Sequence, residues 1–542
     1  MDFSLHIYPI VPWILALLSV LYVRSLAKWR ARSRGRPFPP GPPSLPVVGN
    51  LFNTPGDRAW CAFQDLAAQY GDIIHFRMLG QSIIVLGSLE IINEYLEKRA
   101  SNTSDRPQSP IIELLGQGTN FGLMPYGQQW RRYRRHFWQH FTSRAVEEYQ
   151  PVTRAAAHRF LARLVERPAQ LNAHIRYTFL ATVLKVVYGI GLTEDHDEYA
   201  ATFDVSSEGI SQGLVPGKYI VEMLPILKNV PKWVPGFGFQ ADFERWRAAV
   251  DDVMNIPFAH TREAMARGEG FESIVAKTLT VAGNDDEPED EHEEMAKGIG
   301  LVSYEAGADT SFSALQSFFL AMSLHPDVQK KAQAELDAIV GPHRMPEFSD
   351  SDLLVYVNAV IKEALRWHTV VPLGVAHATT ADDELRGYFL PRGTVILPNI
   401  WACMHDPAVY EDPHAFRPER FIQDGKFDPS VQDPVPFVFG FGRRICPGRH
   451  FALASLFINV ASVLHTFDIT SALDTDGRPV AIEHSQTPGF ISCVPVSSRR
   501  NLHPCRSHSL PLQLSGRLSM HHQASFGRGR SIGRGTRANA VV

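Results

Sequence analysis

The chain has 542 residues, 44% of them apolar and 20% charged, with a formal net charge of -4. That is the composition of a globular protein, and so small a charge excludes a general polyanion binder. Five cysteines, Cys61, Cys403, Cys446, Cys493 and Cys505, stand without C-x-x-C pairs, which argues against a zinc ribbon or a disulfide framework and for a reducing compartment.

The first predicted element is the apolar run Leu5 to Val23, followed by Arg24, Lys28, Arg30, Arg32, Arg34 and Arg36. A run of ~20 apolar residues is what a bilayer crossing requires, and basic residues only on its far side leave the rest of the chain in the cytosol. Residues 1–24 therefore read as a transmembrane anchor. The competing signal peptide lacks a basic first region and a small-residue cleavage site. Residues 25–50 are basic and then proline-rich ("RPFPPGPPSLPVVGN"), a stiff hinge that lifts a globular body off the membrane.

Beyond the hinge, helical stretches alternate with short strand-like runs such as "IIHFRML" and "SIIVLG" near residues 73–87, and no internal repeat is visible. The acidic run Asn284 to Glu294 precedes an apolar segment from Met295 to Leu324, with His325 and Pro326 as a stop. A helix of about 30 residues would span roughly 45 Å, enough to cross a domain. Glu305 and Asp309 inside it favour a buried core helix over a membrane span. Its "AGADTS", Ala306 to Ser311, includes Gly307, which costs about 1 kcal/mol in a helix. Thr310 can bond back to the Ala306 carbonyl. Such a stretch leaves room for a ligand beside a proton-carrying pair, Asp309 and Thr310; an ordinary kinked core helix is the alternative.

Further on, "KEALRW" places Glu363 and Arg366 on one helix face, and "FRPERF" supplies Arg420 as a second guanidinium that could lock two distant segments through one buried carboxylate. Then comes "FGFGRRICPGRHF", Phe439 to Phe451. A lone thiolate suits an iron whose other positions are filled by a porphyrin. Gly442 and Gly448 permit tight turns and close approach to a flat cofactor, Arg444 can pair with a propionate, and Pro447 puts Cys446 at a helix N-terminus. A buried structural cysteine and a glycine-rich anion loop remain as alternatives.

Taken together these motifs resemble those of the cytochrome P450 family, haem-thiolate monooxygenases of the membrane-anchored eukaryotic kind. The family's F-x-x-G-x-R-x-C-x-G is matched at Phe439, Gly442, Arg444, Cys446 and Gly448, its oxygen-activation motif at "AGADTS", its E-x-x-R at Glu363 and Arg366, and its P-E-R-F at Pro418 to Phe421. The similarity runs from the proline hinge to about residue 492. It implies a mainly α fold with small β-sheets (α+β), preceded by the single transmembrane helix, with the catalytic domain at 51–498.

It also implies haem b, iron protoporphyrin IX, with Cys446 as the axial ligand. Trp130, Arg134, His377 and Arg444 would face the propionates, and Phe439, Gly440 and Gly448 would shape the haem loop. Ala376 replaces a more usual proline beside His377. Asp309 and Thr310 would relay protons while O2 is activated, and Glu363, Arg366 and Arg420 would be structural. The resemblance further implies electrons from NADPH through a cytochrome reductase, with cytochrome b5 as an additional donor, attracted by Arg131, Arg132, Arg135 and Arg443. The distal pocket would be lined by Ser109 to Phe121, Gly213 to Met223, the Ala306 side of the long helix, Val370 to Val375 and Thr487 to Ile491. These segments are mainly apolar, so a lipophilic substrate is expected, oxidised in fungal secondary metabolism or xenobiotic breakdown at the endoplasmic reticulum membrane. Two rivals stay open: a thiolate-haem isomerase or dehydratase needing no external electrons, and a haem protein that does not turn over.

There is no Asp or Glu after Glu483, and residues 499–542 are rich in Arg, Ser and Gly, a composition that predicts disorder. An RNA-binding tail would need interleaved aromatics, so no nucleic-acid partner is expected. The segment "SCVPVSSRRNLHPC" departs from the family's closing strand, which points to a shifted reading frame or a retained intron in the gene, and to a damaged last strand.

Overall fold

The fold is given by a computed structural model that describes residues 10–472 apart from 57, 193–196, 216, 223, 232, 235, 237 and 283–288, and after these 476, 478–480, 486–487, 489–491, 512–517 and 540–541. The chain begins with helix α1, Ile10–Ser33. Residues 1–9 of the expected anchor, 1–24, lie outside the described residues, and among the described residues no helix is long and apolar enough to cross a membrane. The end of α1 is docked on the body. Trp29 stacks on Phe38 with centroids 4.7 Å apart and meets the edge of Phe389 at 5.0 Å, while Arg32 reaches Asp382 at 2.9 Å.

The proline-rich stretch is not a free spacer. It lies along strand β1, Ile73–Met78, because prolines keep their carbonyls as acceptors after losing their N–H groups. Pro40 accepts from the His75 N–H at 2.8 Å, Phe38 stacks on the His75 ring at 4.4 Å, and a β-carbon on Gly41 would fall 2.0 Å from the His75 carbonyl oxygen. β1 pairs antiparallel with β2, Gln81–Leu86, in the region where strand-like runs were expected.

Of the helices, those that build the site are α2 (Gln128–Phe141), α3 (Leu171–Tyr188), α4 (Asp197–Gly213), α5 (Glu289–Leu324) and α6 (Val355–Trp367). Strand β3, His377–Ala378, pairs with β4, Val395–Pro398, which runs parallel to β2 and completes a four-stranded sheet. Helix α7, Arg449–Thr466, leads into β5, Phe467–Ser471. The fold is thus mainly helical with small sheets.

Helix α5 is the axis of the core. Its 36 residues span roughly 54 Å. It starts six residues before Met295, where the carboxylates of Asp290, Glu291, Glu293 and Glu294 favour the positive end of a helix. It ends where expected: His325 leaves helical geometry and Pro326 opens the next helix. Close packing needs small residues here, since a β-carbon on Gly300 would fall 2.4 Å from the Tyr188 hydroxyl and one on Gly298 2.7 Å from the Thr119 carbonyl. Tyr304, Phe312, Phe318 and Phe319 are buried along it, each worth about 1.5–3 kcal/mol of apolar burial.

The expectation of a disordered tail needs correction at one place. Leu512–Gly516 forms strand β6, antiparallel to β5 from the Leu512–Ser471 pair to the Gly516–Phe467 pair. The alternation in "LQLSG" turns Leu512 and Leu514 into the core, and Arg517 closes the strand end through Thr466 and Asp337, each at 2.8 Å. Ala540–Val541 adds a short edge to β6, and the rest of residues 499–542 lies outside the described residues.

Candidate active site

The loop from Phe439 to Gly448 turns at Gly440 and Gly442, whose φ values of 83° and 54° a side chain would strain. At Gly442 a β-carbon would also meet the Leu96 carbonyl oxygen at 2.5 Å, and Glu97 accepts the Gly442 N–H at 2.6 Å. The Cys446 N–H donates to the Phe439 carbonyl at 2.7 Å, which closes the loop. Cys446 is in no disulfide, and the residue as a whole is partly exposed. Apart from its chain neighbours, nothing lies within 4 Å of the place a Gly448 β-carbon would take, so this side of the loop is open. α7 begins at Arg449, two residues after Pro447, so Cys446 lies just ahead of its first turn. Burial pushes the Cys446 thiol up, while the Gly448 N–H, Arg134 and Arg449 pull it down.

Beside this loop the fold gathers cations. Trp130 and Arg134 share α2; Trp130 is buried and Arg134 donates to the Ile445 carbonyl. Arg444 donates to the carbonyls of Ser104, Phe121 and Met124 at 2.8, 3.1 and 2.7 Å, and its guanidinium lies 4.4 Å over the Trp130 ring. His377, buried on β3, has Nδ1 2.8 Å from the Thr103 carbonyl, so that nitrogen carries the proton. A further guanidinium, Arg106, donates to Gly122, Val375 and Ala376 carbonyls at 2.9, 2.8 and 2.7 Å.

These groups repel one another. Burial first, then Arg444 and Arg134, hold Arg106 well below the usual guanidinium range; burial, Arg106 and Arg444 do the same to His377. Burial brings Arg134 and Arg444 down to about 10. The carboxylate that acts on both Arg106 and Arg444 is that of Asp105. Two buried guanidiniums, Arg106 and Arg444, and the partly buried Arg134 against one carboxylate leave positive charge that a dianionic ligand with two separate acid groups would offset.

On α5, Ala306 is exposed and Gly307 and Thr310 are partly exposed, although the neighbouring turns are buried. That face opens inward. Thr310 Oγ1 donates to the Ala306 carbonyl at 2.7 Å, the back-bond expected from the sequence. Gly307 does something other than make room for a ligand: a β-carbon there would press on Val183 of α3 at 3.2 Å. Asp309 is buried and turned toward α3 and α4, where it accepts from the Ser207 hydroxyl and lies 3.5 Å from Arg176. Arg176 also pairs with Asp204 at 2.6 Å. Two of the expected lining segments touch, since a β-carbon on Gly213 would fall 2.9 Å from Leu115, and the Phe490 N–H donates at 3.4 Å to the carbonyl of Ser211, two residues before Gly213. Residues 216, 223 and 488 of those segments lie outside the described residues.

The Cytochrome P450 family model matches residues 39–491 of the chain. The chain belongs to the cytochrome P450 family. It is 39% identical over 475 residues to cytochrome P450 monooxygenase COX2 of Coprinopsis cinerea, covering 87% of this chain and 90% of that one. It is 38% identical to cytochrome P450 monooxygenase 208 of Postia placenta (88% and 91% covered) and 35% identical to tryptamine 4-monooxygenase of Psilocybe cyanescens (88% and 94% covered). With them it is a cytochrome P450 monooxygenase, an oxidoreductase of a family whose cofactor is a haem held by a thiolate.

In this cytochrome P450 the motif residues named from the sequence come together as three groups: the cysteine loop with Trp130, Arg134, His377 and Arg444, the Asp309–Thr310 turn of α5, and the buried cluster of Glu363, Arg366 and Arg420. Arg106 escaped notice because "SDRPQSP" has no motif spacing; only its burial against Val375, Ala376 and Gly122 marks it. Arg176 was hidden for the same reason, and Glu305, which marks α5 as a core helix, shows its partners only in the fold.

Proposed function

We propose that Cys446 is the axial ligand of haem b, that Arg106, Arg134, Arg444 and His377 hold its propionates with Trp130 beside them, and that Phe439, Gly440 and Gly448 shape the loop beneath the ring. The observation that carries this reading is the set of buried, mutually repelling cations next to a free thiol on an open loop. Bound haem supplies the O2 activation. The chain's own work is to hold protons and substrate. Thr310 offers its hydroxyl on the accessible face of α5, and Asp309, held by Ser207 and Arg176, exchanges protons behind it. Ile111 and Leu115 support an apolar lining, which suits a lipophilic substrate of fungal secondary metabolism.

Electrons come from NADPH through a cytochrome reductase, with cytochrome b5 as an additional donor. Arg131, Arg135 and Arg443 are exposed, and Arg131 and Arg443 lie 5.5 and 5.4 Å over the ring of Tyr126, a basic patch for an acidic partner. Arg132 belongs less to it, being paired with Glu291 at 2.6 Å.

The catalytic domain, residues 51–498, sits on the cytosolic face of the endoplasmic reticulum, anchored by residues 1–24. Val47 (89% exposed), Phe52 (79%) and Trp233 (81%) support lipid contact.

The test is the carbon monoxide difference spectrum of the reduced protein. A thiolate-type Soret band that disappears in Cys446→Ser, with product formation that requires the reductase and NADPH, is expected. Turnover without the reductase would move the reading to an isomerase or dehydratase.

A further inference from the structure

Glu305 stands one turn before Asp309 on α5 and is 3% exposed. Its carboxyl accepts from the Gln117 side-chain amide at 2.9 and 3.1 Å, one contact to each oxygen, and from the Ser206 hydroxyl of α4 at 2.5 Å. The chain of bonds continues. Gln117 Oε1 accepts from the Asn120 amide at 2.7 Å, and Asn120 Oδ1 accepts from the Gly122 N–H at 3.0 Å. The far end of the same loop supplies the Phe121, Gly122 and Met124 carbonyls that Arg444 and Arg106 bind. Residues 117–124 are therefore held at both ends, by one carboxyl on the central helix and by two guanidiniums of the cation cluster. A carboxyl is suited to the first post because it offers several lone pairs to donors arriving from two different elements.

We infer that Glu305 is a positioning residue for the oxidation: it clamps the loop 117–124 and helix α4 onto α5, and so sets how the walls of the distal site close. This rests on the reading that α5 and this loop enclose the reacting site. Buried polar networks of this kind specify geometry when every member is satisfied and loosen sharply when one is lost.

The test uses full-length, haem-loaded protein and two readouts: hydrogen–deuterium exchange of the 117–124 amides, and the dissociation rate of 4-phenylimidazole followed by its Soret shift. Glu305→Ala is expected to raise both at least tenfold, with exchange in the peptide around Glu363 unchanged. Glu305→Gln, which keeps an acceptor and the side-chain shape, is expected to stay within about threefold of the parent. If Glu305→Ala fails to fold, Gln117→Leu is expected to give the same local loosening. Parent-like exchange at 117–124 in either variant, or a rise spread evenly over the protein, overturns the inference. The parent's carbon monoxide spectrum reports separately on the monooxygenase reading, and exchange at 117–124 does not depend on turnover.

Discussion

Glu363 and Arg366 pair face to face with no exposed side-chain surface, Arg366 Nε reaching one carboxylate oxygen at 2.7 Å and Nη2 the other at 2.9 Å. Arg420 adds a bond to the same carboxylate at 3.1 Å and the Arg417 N–H another at 2.8 Å. The remaining Arg366 donors are taken up by the Met404, Pro413 and Ala415 carbonyls. The cluster ties α6 to the 404–420 segment. It works because no donor or acceptor is left over.

Glu363→Ala leaves two guanidiniums buried without their counter-charge and is expected to cost about 3–5 kcal/mol. Arg366→Lys keeps the charge but loses the fork, and is expected to be destabilising as well. Urea unfolding followed by circular dichroism measures both. A Glu363→Ala protein as stable as the parent would refute the account.

Arg106 is expected to matter to cofactor retention as much as the motif residue Arg444. A bond to a charged group is worth about 1.5–3 kcal/mol, so Arg106→Leu is expected to speed haem release by about 10- to 100-fold. Transfer of haem to an apo-globin acceptor reads this out. Release at the parent rate removes Arg106 from the site.

Asp309→Asn and Thr310→Val separate the two halves of the proposed proton path. General acid–base groups contribute about 10²- to 10⁴-fold, so each variant is expected to lose product formation by at least tenfold. NADPH consumption is expected to fall less, with the difference appearing as hydrogen peroxide. Product and NADPH falling in equal proportion would place the defect in binding or electron delivery instead.

Burial raises the Glu305 carboxyl from 4.5 to about 7, opposed by its Ser206 and Gln117 bonds and helped by Asp309. The titratable groups that interact with it are Asp309 on α5 and Tyr188 from α3, and Asp309 in turn lies by Arg176, which pairs with Asp204 of α4. The folded state binds this proton more tightly than the unfolded chain. Its contribution is therefore complete below pH 4.5 and is lost as pH rises through about 7. Glu305→Gln carries no such proton. Between pH 5 and 8 its stability relative to the parent is expected to improve by about 3 kcal/mol, read from urea unfolding at the two values. A constant difference across that range contradicts the prediction.

Much of the protein is legible in the chain because its chemistry is written in contiguous stretches. Cys446 and its glycines, the Thr310 back-bond, the Glu363–Arg366 spacing and the stop at Pro326 all depend on residues within a turn or two of one another, where local geometry decides the outcome. Gly307 shows the limit: a gap in a helix can admit a ligand or a neighbouring helix, and here Val183 fills it. The tail shows another, since "LQLSG" acquires a structure only by pairing with Phe467–Ser471. The sequence by itself determined the reaction class, through spacing that any reader of motifs can follow. Only the tertiary structure decided which isolated side chains join the site. Arg106, Arg176 and Glu305 have no local signature, and their roles arise from burial and from charges brought close across long stretches of chain.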